Sequence, residues 1–262
     1  MKAPMDYMLL AETALLAGEI MLVSGAEIYR VEDTVGRMLG TSGLERAEVF
    51  VVTTGIIITL SDPQIKPISL VRRVPEKSTN LGNISETNEI SRQFCGGSIS
   101  LEEAYERIQA IRGKQRYPRW FLNLCMILTT GFFCIILGGS AADCLLSLMN
   151  GVFIVLWTEA LGKLQAKSFF LNLMGPLFIA LFSTVAAGIG SPYVNAEPMI
   201  AGSIMPLLPG VAITNAIRDT LQGDYVSGGA RIIEAFVVAL AIAVGIGVGL
   251  ALGGLVMGGI GL

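Results

Sequence analysis

Residues 120–262 carry only four basic and six acidic side chains, and these stand almost entirely in the connections between long apolar runs. A bilayer core of about 30 Å asks for roughly 20 apolar residues per helix. Five runs meet that demand or come near it: about Trp120–Leu137, Ala141–Thr158, Phe169–Gly188, Met199–Ile217 and Ile232–Gly258. The fourth is interrupted by MPLLPG at 205–210, and only GGSA at 138–141 separates the first two, which predicts a tight hairpin. The buried core of a soluble protein would rarely confine its charges to the connections in this way. Five transmembrane helices over 119–262 are therefore expected.

Residues 1–119 differ, with 14 of the 18 basic and 15 of the 21 acidic residues but only ten of the 31 glycines. They predict a small cytoplasmic α/β domain over residues 1–118. Residues 8–39 read as one long helix or two joined ones, with Ile28, Val31, Val35 and Met38 forming an apolar stripe. Glu27 with Arg30 and Asp33 with Arg37 stand at pairing distance on the other side, and Gly40 and Gly43 end the helix. AEVFVVTTGIIITL at 47–60 reads as a central strand, SDPQIK as a turn and 67–74 as a second strand. Two short helices follow, about 85–95 and 101–112, the second with Ser100 as N-cap and Glu103 at N3. The opening MKAPMDYMLLAETALLAG is broken by Asp6 and Glu12 and reads as mature protein, not a leader.

Charge placement predicts the orientation. Arg112, Lys114, Arg116 and Arg119 stand directly before the first span, which puts the amino-terminal domain inside. Lys163 and Lys167 then fall in the next inside loop, and Arg218 and Arg231 bound the one after. The turn near Gly139, the loop at 190–198 and the carboxyl terminus contain no lysine or arginine and fall outside.

Composition excludes several functions. There is no histidine, which removes His-dependent triads and His-containing metal sites. The four cysteines, Cys95, Cys125, Cys134 and Cys144, form no CxxC pair, so no metal or cofactor is expected. A net charge of -3 argues against nucleic-acid binding. The hydroxyls of Ser24, Ser42, Thr53 and Thr54 have no lysine or histidine placed to activate them, so catalysis is not expected. No glycine-rich nucleotide loop is present.

GEIMLVSGAEIYRVEDTVGRMLGTSG at 18–43 resembles the amino-terminal signature of the threonine/serine exporter family. EVFVVTTGIIITL, NLGNISETNEISR at 80–92, SLEEAYERI at 100–108 and AGSIMPLLPGVAITNAIRDTLQGDYVSGGAR at 201–231 extend the resemblance over nearly the whole chain. The family contains single long chains and split pairs, and this chain resembles the long subunit of a split pair. The resemblance implies export of threonine and serine, or of the dicarboxylate succinate, together with a short membrane subunit. A scaffold or ligand-sensing protein without transport is the alternative.

Independent of that resemblance, the break in the fourth run points to a substrate pathway. Pro206 and Pro209 remove backbone donors and Gly210 relaxes the chain. Unwound backbone at membrane depth must be buried or line a polar cavity. Thr214, Asn215, Arg218 and Asp219 follow near the inner end. Their other reading is a kinked structural helix ending at the headgroups. Arg218 and Asp219, being adjacent, point in different directions. Asn172 and Pro176 in the third run are candidate pathway residues too, although Asn172 reads more readily as a helix–helix hydrogen-bonding residue. Glu234, Asp219 and Glu159 are, in that order, the carboxylates available for proton coupling. Glu234 pairing with Arg231, and Glu159 snorkelling at the interface, are the simpler readings. Gly245, Gly249 and Gly253 mark a helix-packing face, within the chain or against another subunit, and Gly254 and Gly258 repeat the spacing. Five spans are few to enclose a path, so a partner membrane subunit or further copies of the chain are expected to complete it.

Overall fold

The computed structural model describes residues 6–74, 78–114, 116–163, 168–190 and 192–260. Lys167 of the expected inner loop, Ser191 and the last two residues lie outside the described residues. The chain forms two compact units that do not follow chain order. One comprises residues 1–114 and 210–234, the other 115–209 and 235–262.

The first unit is an α+β fold. Helices α1 (Tyr7–Val23) and α2 (Ile28–Gly40) lie over a three-stranded antiparallel meander, β1 (Arg46–Val52), β2 (Gly55–Asp62) and β3 (Ile65–Arg73). α3 (Leu81–Cys95) and α4 (Leu101–Ile111) complete it. α1 is apolar round most of its circumference because it is the centre of this unit: Leu10, Leu15, Met21 and Leu22 are all inaccessible or nearly so, while Glu12 is exposed. The predicted stripe of Ile28, Val31, Val35 and Met38 is wholly buried. Ser100 accepts the Glu103 N–H at 3.2 Å and starts α4 as expected. The expected ion pairs form too, Arg30–Glu27 at 3.4 Å and Arg37–Asp33 at 2.9 Å.

The single strand expected over 47–60 is instead two strands joined at Thr53–Thr54, with Val52 opposite Gly55. The turn carries none of the Asn-Gly or Asp-Gly chemistry that announces a hairpin. The available signal was Gly55, which interrupts the β-branched run. A Cβ there would stand 2.9 Å from the carbonyl oxygen of Arg72 on β3. Ile56, Ile58 and Leu60 of β2 face the helices, while Phe50, Ile57 and Val71 form an exposed cross-strand row on the other face. The run is therefore buried on one face only.

Glu32 on α2 accepts the Val51 N–H at 2.9 Å. Burial pushes this carboxyl above its ordinary value, the Val51 bond offsets part of that, and the charge of Asp224 adds to the rise. A raised carboxyl destabilises the fold at neutral pH, and the penalty fades as pH falls through the raised folded value. Glu32→Gln keeps an acceptor for Val51. It should therefore melt higher than the unaltered chain at pH 7, with the gap closing by about pH 4.5, the ordinary carboxyl value. A lower melting temperature for the variant at pH 7 would contradict this.

Two further helices close this unit. α9 (Gly210–Leu221) and the start of α10 (Tyr225–Ile260) are joined by a turn at Gly223, φ 95°. Gly228 meets Thr220 and the Ala216 carbonyl across that turn, which leaves no room for a side chain.

The second unit is helical. α5 (Arg119–Ile136) and α6 (Ala141–Lys163) form the expected hairpin, with Gly138 at φ 89°. α7 (Ser168–Gly190), the short α8 (Ala196–Ile204), a 3-10 turn at Met205–Leu207 and α10 from Ala235 onward follow. Among the described residues four helices are long and apolar enough to span a membrane: α5, α6, α7 and α10. A fifth span exists if α8 with its 3-10 turn and α9 count as one broken crossing. The outward side chains of α5 and α10, among them Phe132, Ile136, Ile233 and Phe236, are exposed and apolar, as a lipid-facing surface requires.

Candidate functional site

A helix break leaves backbone groups without partners at both ends. In the first unit, α1 stops at Val23, Gly25 takes the left-handed conformation at φ 85°, and α2 starts at Ile28. Glu27 stands at the N-cap position of α2 yet makes no capping bond. The groups left over are satisfied from α9 and α10. Asp219 accepts the Ile28 N–H at 3.0 Å, acting as a cap from 191 residues away. Asn215 donates to the Gly25 carbonyl at 2.7 Å, and Arg231 donates to the Ala26 carbonyl at 2.9 Å. Arg231 also faces Asp219, Nε to Oδ2 at 3.3 Å.

Asp219 is fully buried and Arg231 is 7% exposed. The negative side chain sits at the positive end of the α2 dipole, where it is favoured. Arg218, turned about 100° from Asp219 on the helix, reaches the preceding residue of the same bend, and its guanidinium binds Glu27. Burial pushes the Glu27 carboxyl up. Its own backbone N–H, the Arg218 guanidinium and the charge of Arg30 outweigh that and hold it below its ordinary value. Four side chains from α9 and α10 therefore lock onto four consecutive residues, Gly25–Ile28, which lie inside the 18–43 signature run.

The second unit holds a separate polar hub. Asn150 on α6 donates to Ser183 Oγ on α7 at 3.1 Å and to Ser203 Oγ on α8 at 3.0 Å. Thr130 on α5 donates to the Ser147 carbonyl of α6 at 2.8 Å. Asp143 accepts the N–H groups of Ser140 and Asn195, each at 2.8 Å, and so ties the start of α6 to the start of α8. All of these side chains are buried. Beside Asn150 lies a cavity of about 480 Å³ walled by Phe153, Phe178 and Phe182. It is apolar apart from the Asn150 amide, the composition of a ligand cavity with one orienting polar group.

The expected pathway residues divide between these places. Asn215, Arg218 and Asp219 come together in the lock. Thr214 does not, since its hydroxyl returns to the Gly210 carbonyl of its own helix at 3.0 Å. Pro206 lies in the 3-10 turn and Pro209 just after it. Gly210 is not at positive φ, and a Cβ there would meet nothing within 4 Å, so the local geometry does not require glycine at this position. Pro176 is buried inside α7, where its missing N–H leaves the carbonyl of Asn172 without its helical donor. The Asn172 side chain is half-buried and joins neither polar cluster.

Glu159 accepts from Asn123 Nδ2 at 2.6 Å and links α5 to α6. Glu234 is exposed on α10 and belongs to neither polar cluster. Gly245 and Gly249 press on the Leu173 and Leu177 carbonyls of α7, and Gly253 on Thr184. Their packing face is thus within the chain. Gly254 and Gly258 meet nothing within 4 Å.

Sequence reasoning did not single out Glu27 and Arg231 as site residues, nor Asn150, Ser183, Ser203 and Asp143. The signal for Asn150 was present: an amide in the middle of an apolar span is costly without partners. Glu27 and Arg231 carried no such signal, because their partners are distant in sequence.

A folded α+β unit with four or five apolar crossings and a buried polar hub among them defines a multi-pass membrane protein. Residues 12–253 match the ThrE family model of threonine/serine exporters, and the chain belongs to this family. It is 25% identical over 222 residues to a "Probable threonine/serine exporter" of Mycobacterium tuberculosis, covering 83% of this chain and 41% of that protein. It is 23% identical over 228 residues to the "Threonine/serine exporter" of Corynebacterium glutamicum, covering 84% and 46%. It thus spans less than half the length of these two relatives. The "Probable succinate transporter subunit YjjP" of Escherichia coli is 24% identical over 236 residues, covering 86% of this chain and 87% of that protein. No solved structure matches the chain.

Proposed function

We propose that this chain is the long subunit of a two-part secondary exporter that moves threonine or serine out of the cell. The observation that carries the reading is the helix break at Pro206–Pro209, followed directly by α9, whose polar face grips the Gly25–Ile28 bend. A passive anchor needs neither an interrupted membrane segment nor a buried ionic lock at its end. In this reading α8 and α9 cross as one broken span. The amino-terminal unit is cytoplasmic and the carboxyl terminus lies outside. A short membrane subunit of the same family completes the path. The similarity to transporter subunits over most of their length supports the split arrangement.

Cargo meets the membrane unit at the Asn150 hub. The adjoining cavity offers an amide and aromatic walls but no charged side chain. A net-neutral amino acid suits it better than a dianion, whose desolvation would go uncompensated. Succinate is the second reading, favoured by the near-full-length similarity to succinate transporter subunits.

Proton entry drives the cycle through Asp219. Its protonation would release Arg231 and loosen the lock, letting α9 move relative to the Gly25–Ile28 bend. The test is efflux from cells loaded separately with threonine, serine and succinate, with this chain expressed alone and with its short membrane subunit. Threonine or serine efflux only when both are present is expected. Succinate efflux alone would transfer the assignment to the second reading. No efflux of any of the three, with both proteins verified in the membrane, would overturn the exporter reading.

A further inference from the structure

Outside both polar clusters, the first unit contains a cavity of about 500 Å³ between the end of α1, the end of β3 and the end of α4. Three arginines line it, Arg72, Arg73 and Arg112, against a single carboxylate, Glu19. Glu19 is 15% exposed and divides itself between two of them, Oε1 to Arg112 Nη2 at 3.0 Å and Oε2 to Arg72 Nε at 3.5 Å. Neither Glu19 Oε2 nor Arg72 Nε completes a hydrogen bond, although both atoms are buried. Among the described residues no carboxylate pairs with Arg73. The cavity wall thus has an excess of two positive charges and an unfinished hydrogen-bond set, and a buried polar group without a partner costs stability. Cations at a helix C-terminus are favoured by its dipole, which accounts for Arg112 at the C-cap of α4. It does not account for Arg72 on the helix-facing side of the sheet, or for Arg73, the last residue of β3, exposed at the rim of the cavity.

We propose that this cavity is a binding site for a small carboxylate. Guanidinium groups are matched in geometry to a carboxylate and take it in paired hydrogen bonds. The rest of the wall is largely apolar, including Val23 and Ile111, and would hold the hydrocarbon stem of such a ligand. Bare inorganic phosphate would satisfy the charge but leave that wall uncovered. The site is distinct from the membrane hub and does not depend on export. Its position in the soluble unit suits a sensor of metabolite level.

The test is isothermal titration of the purified full chain in nanodiscs with sodium succinate, with sodium phosphate and sodium chloride at matched ionic strength as comparisons. Succinate is expected to bind saturably and more tightly than phosphate. Arg73→Gln, an exposed change that should leave the fold intact, is expected to weaken succinate at least tenfold. Glu19→Gln is expected to tighten it, because it frees Arg72 and Arg112 from their internal competitor. A merely structural cluster would not respond in opposite directions to these two changes. No saturable succinate binding would overturn the proposal. So would binding that both variants leave unchanged, or phosphate binding as tight as succinate.

Discussion

Replacing Asp219 with alanine is expected to destabilise the first unit by about 3–5 kcal/mol, the usual cost of removing one partner from a buried ion pair. Two losses combine. Arg231, 7% exposed, keeps its charge without its carboxylate, and the Ile28 N–H loses its acceptor. Against a total stability of typically 5–15 kcal/mol, that is enough to open the Gly25–Ile28 bend frequently.

Asp219→Asn separates the two losses, because it keeps an oxygen for Ile28 while removing the charge. It should sit between alanine and the unaltered chain, with the capping part worth about 1 kcal/mol. Combining Asp219→Asn with Arg231→Met should cost clearly less than the sum of the two single changes, the signature of direct coupling. The measurement is thermal stability of the detergent-purified chain by size exclusion after heating. Amide exchange over residues 25–31 and 215–231 complements it. Additive single and double variants, or unchanged exchange at Ile28, would show that the lock contributes nothing.

The second large effect is expected in the membrane unit. Gly249→Val should prevent normal packing of α10 on α7. The added side chain would run into the backbone carbonyl of Leu177, and Gly245 stands against Leu173 in the same way. A backbone atom held in a helix cannot swing aside as a flexible side chain can. Overpacking of a close interface costs about 1–3 kcal/mol and more where backbone must shift. Small residues at helix interfaces permit this approach in membranes, where lipid supplies no hydrophobic drive for association.

Gly254→Val is the matched control, since its Cβ would meet nothing within 4 Å. The expected result is a large fall in thermal stability for Gly249→Val and no change for Gly254→Val. Equal effects would mean that α10 packs by another face.

Part of the lock was legible residue by residue. Asn215, Arg218 and Asp219 stand out as polar groups closing an apolar run. The different directions of Arg218 and Asp219 follow from about 100° per residue on a helix. What they bind was not legible. Asp219 faces an amide 191 positions away, and nothing in either segment names the other. The membrane hub was half legible, because Asn150 in an apolar span carries a signal but Ser183 and Ser203 look unremarkable until three helices bring the three side chains within 3.1 Å.

Sequence alone determined the local and one-dimensional features. Hydrophobic length set the four long crossings and the broken fifth candidate. Ser100 started α4, and the spacing of Ile28, Val31, Val35 and Met38 placed the buried face of α2. Each of these depends on a property that repeats or terminates within a few residues. Tertiary structure decided the rest. It split the β-branched run at Thr53–Thr54, chose α7 as the partner of the α10 glycines, and gave the orphaned groups of the α1–α2 bend to Asn215, Asp219 and Arg231. Those outcomes depend on which distant surfaces meet, and unpaired backbone groups accept whichever polar side chain the packing delivers to them.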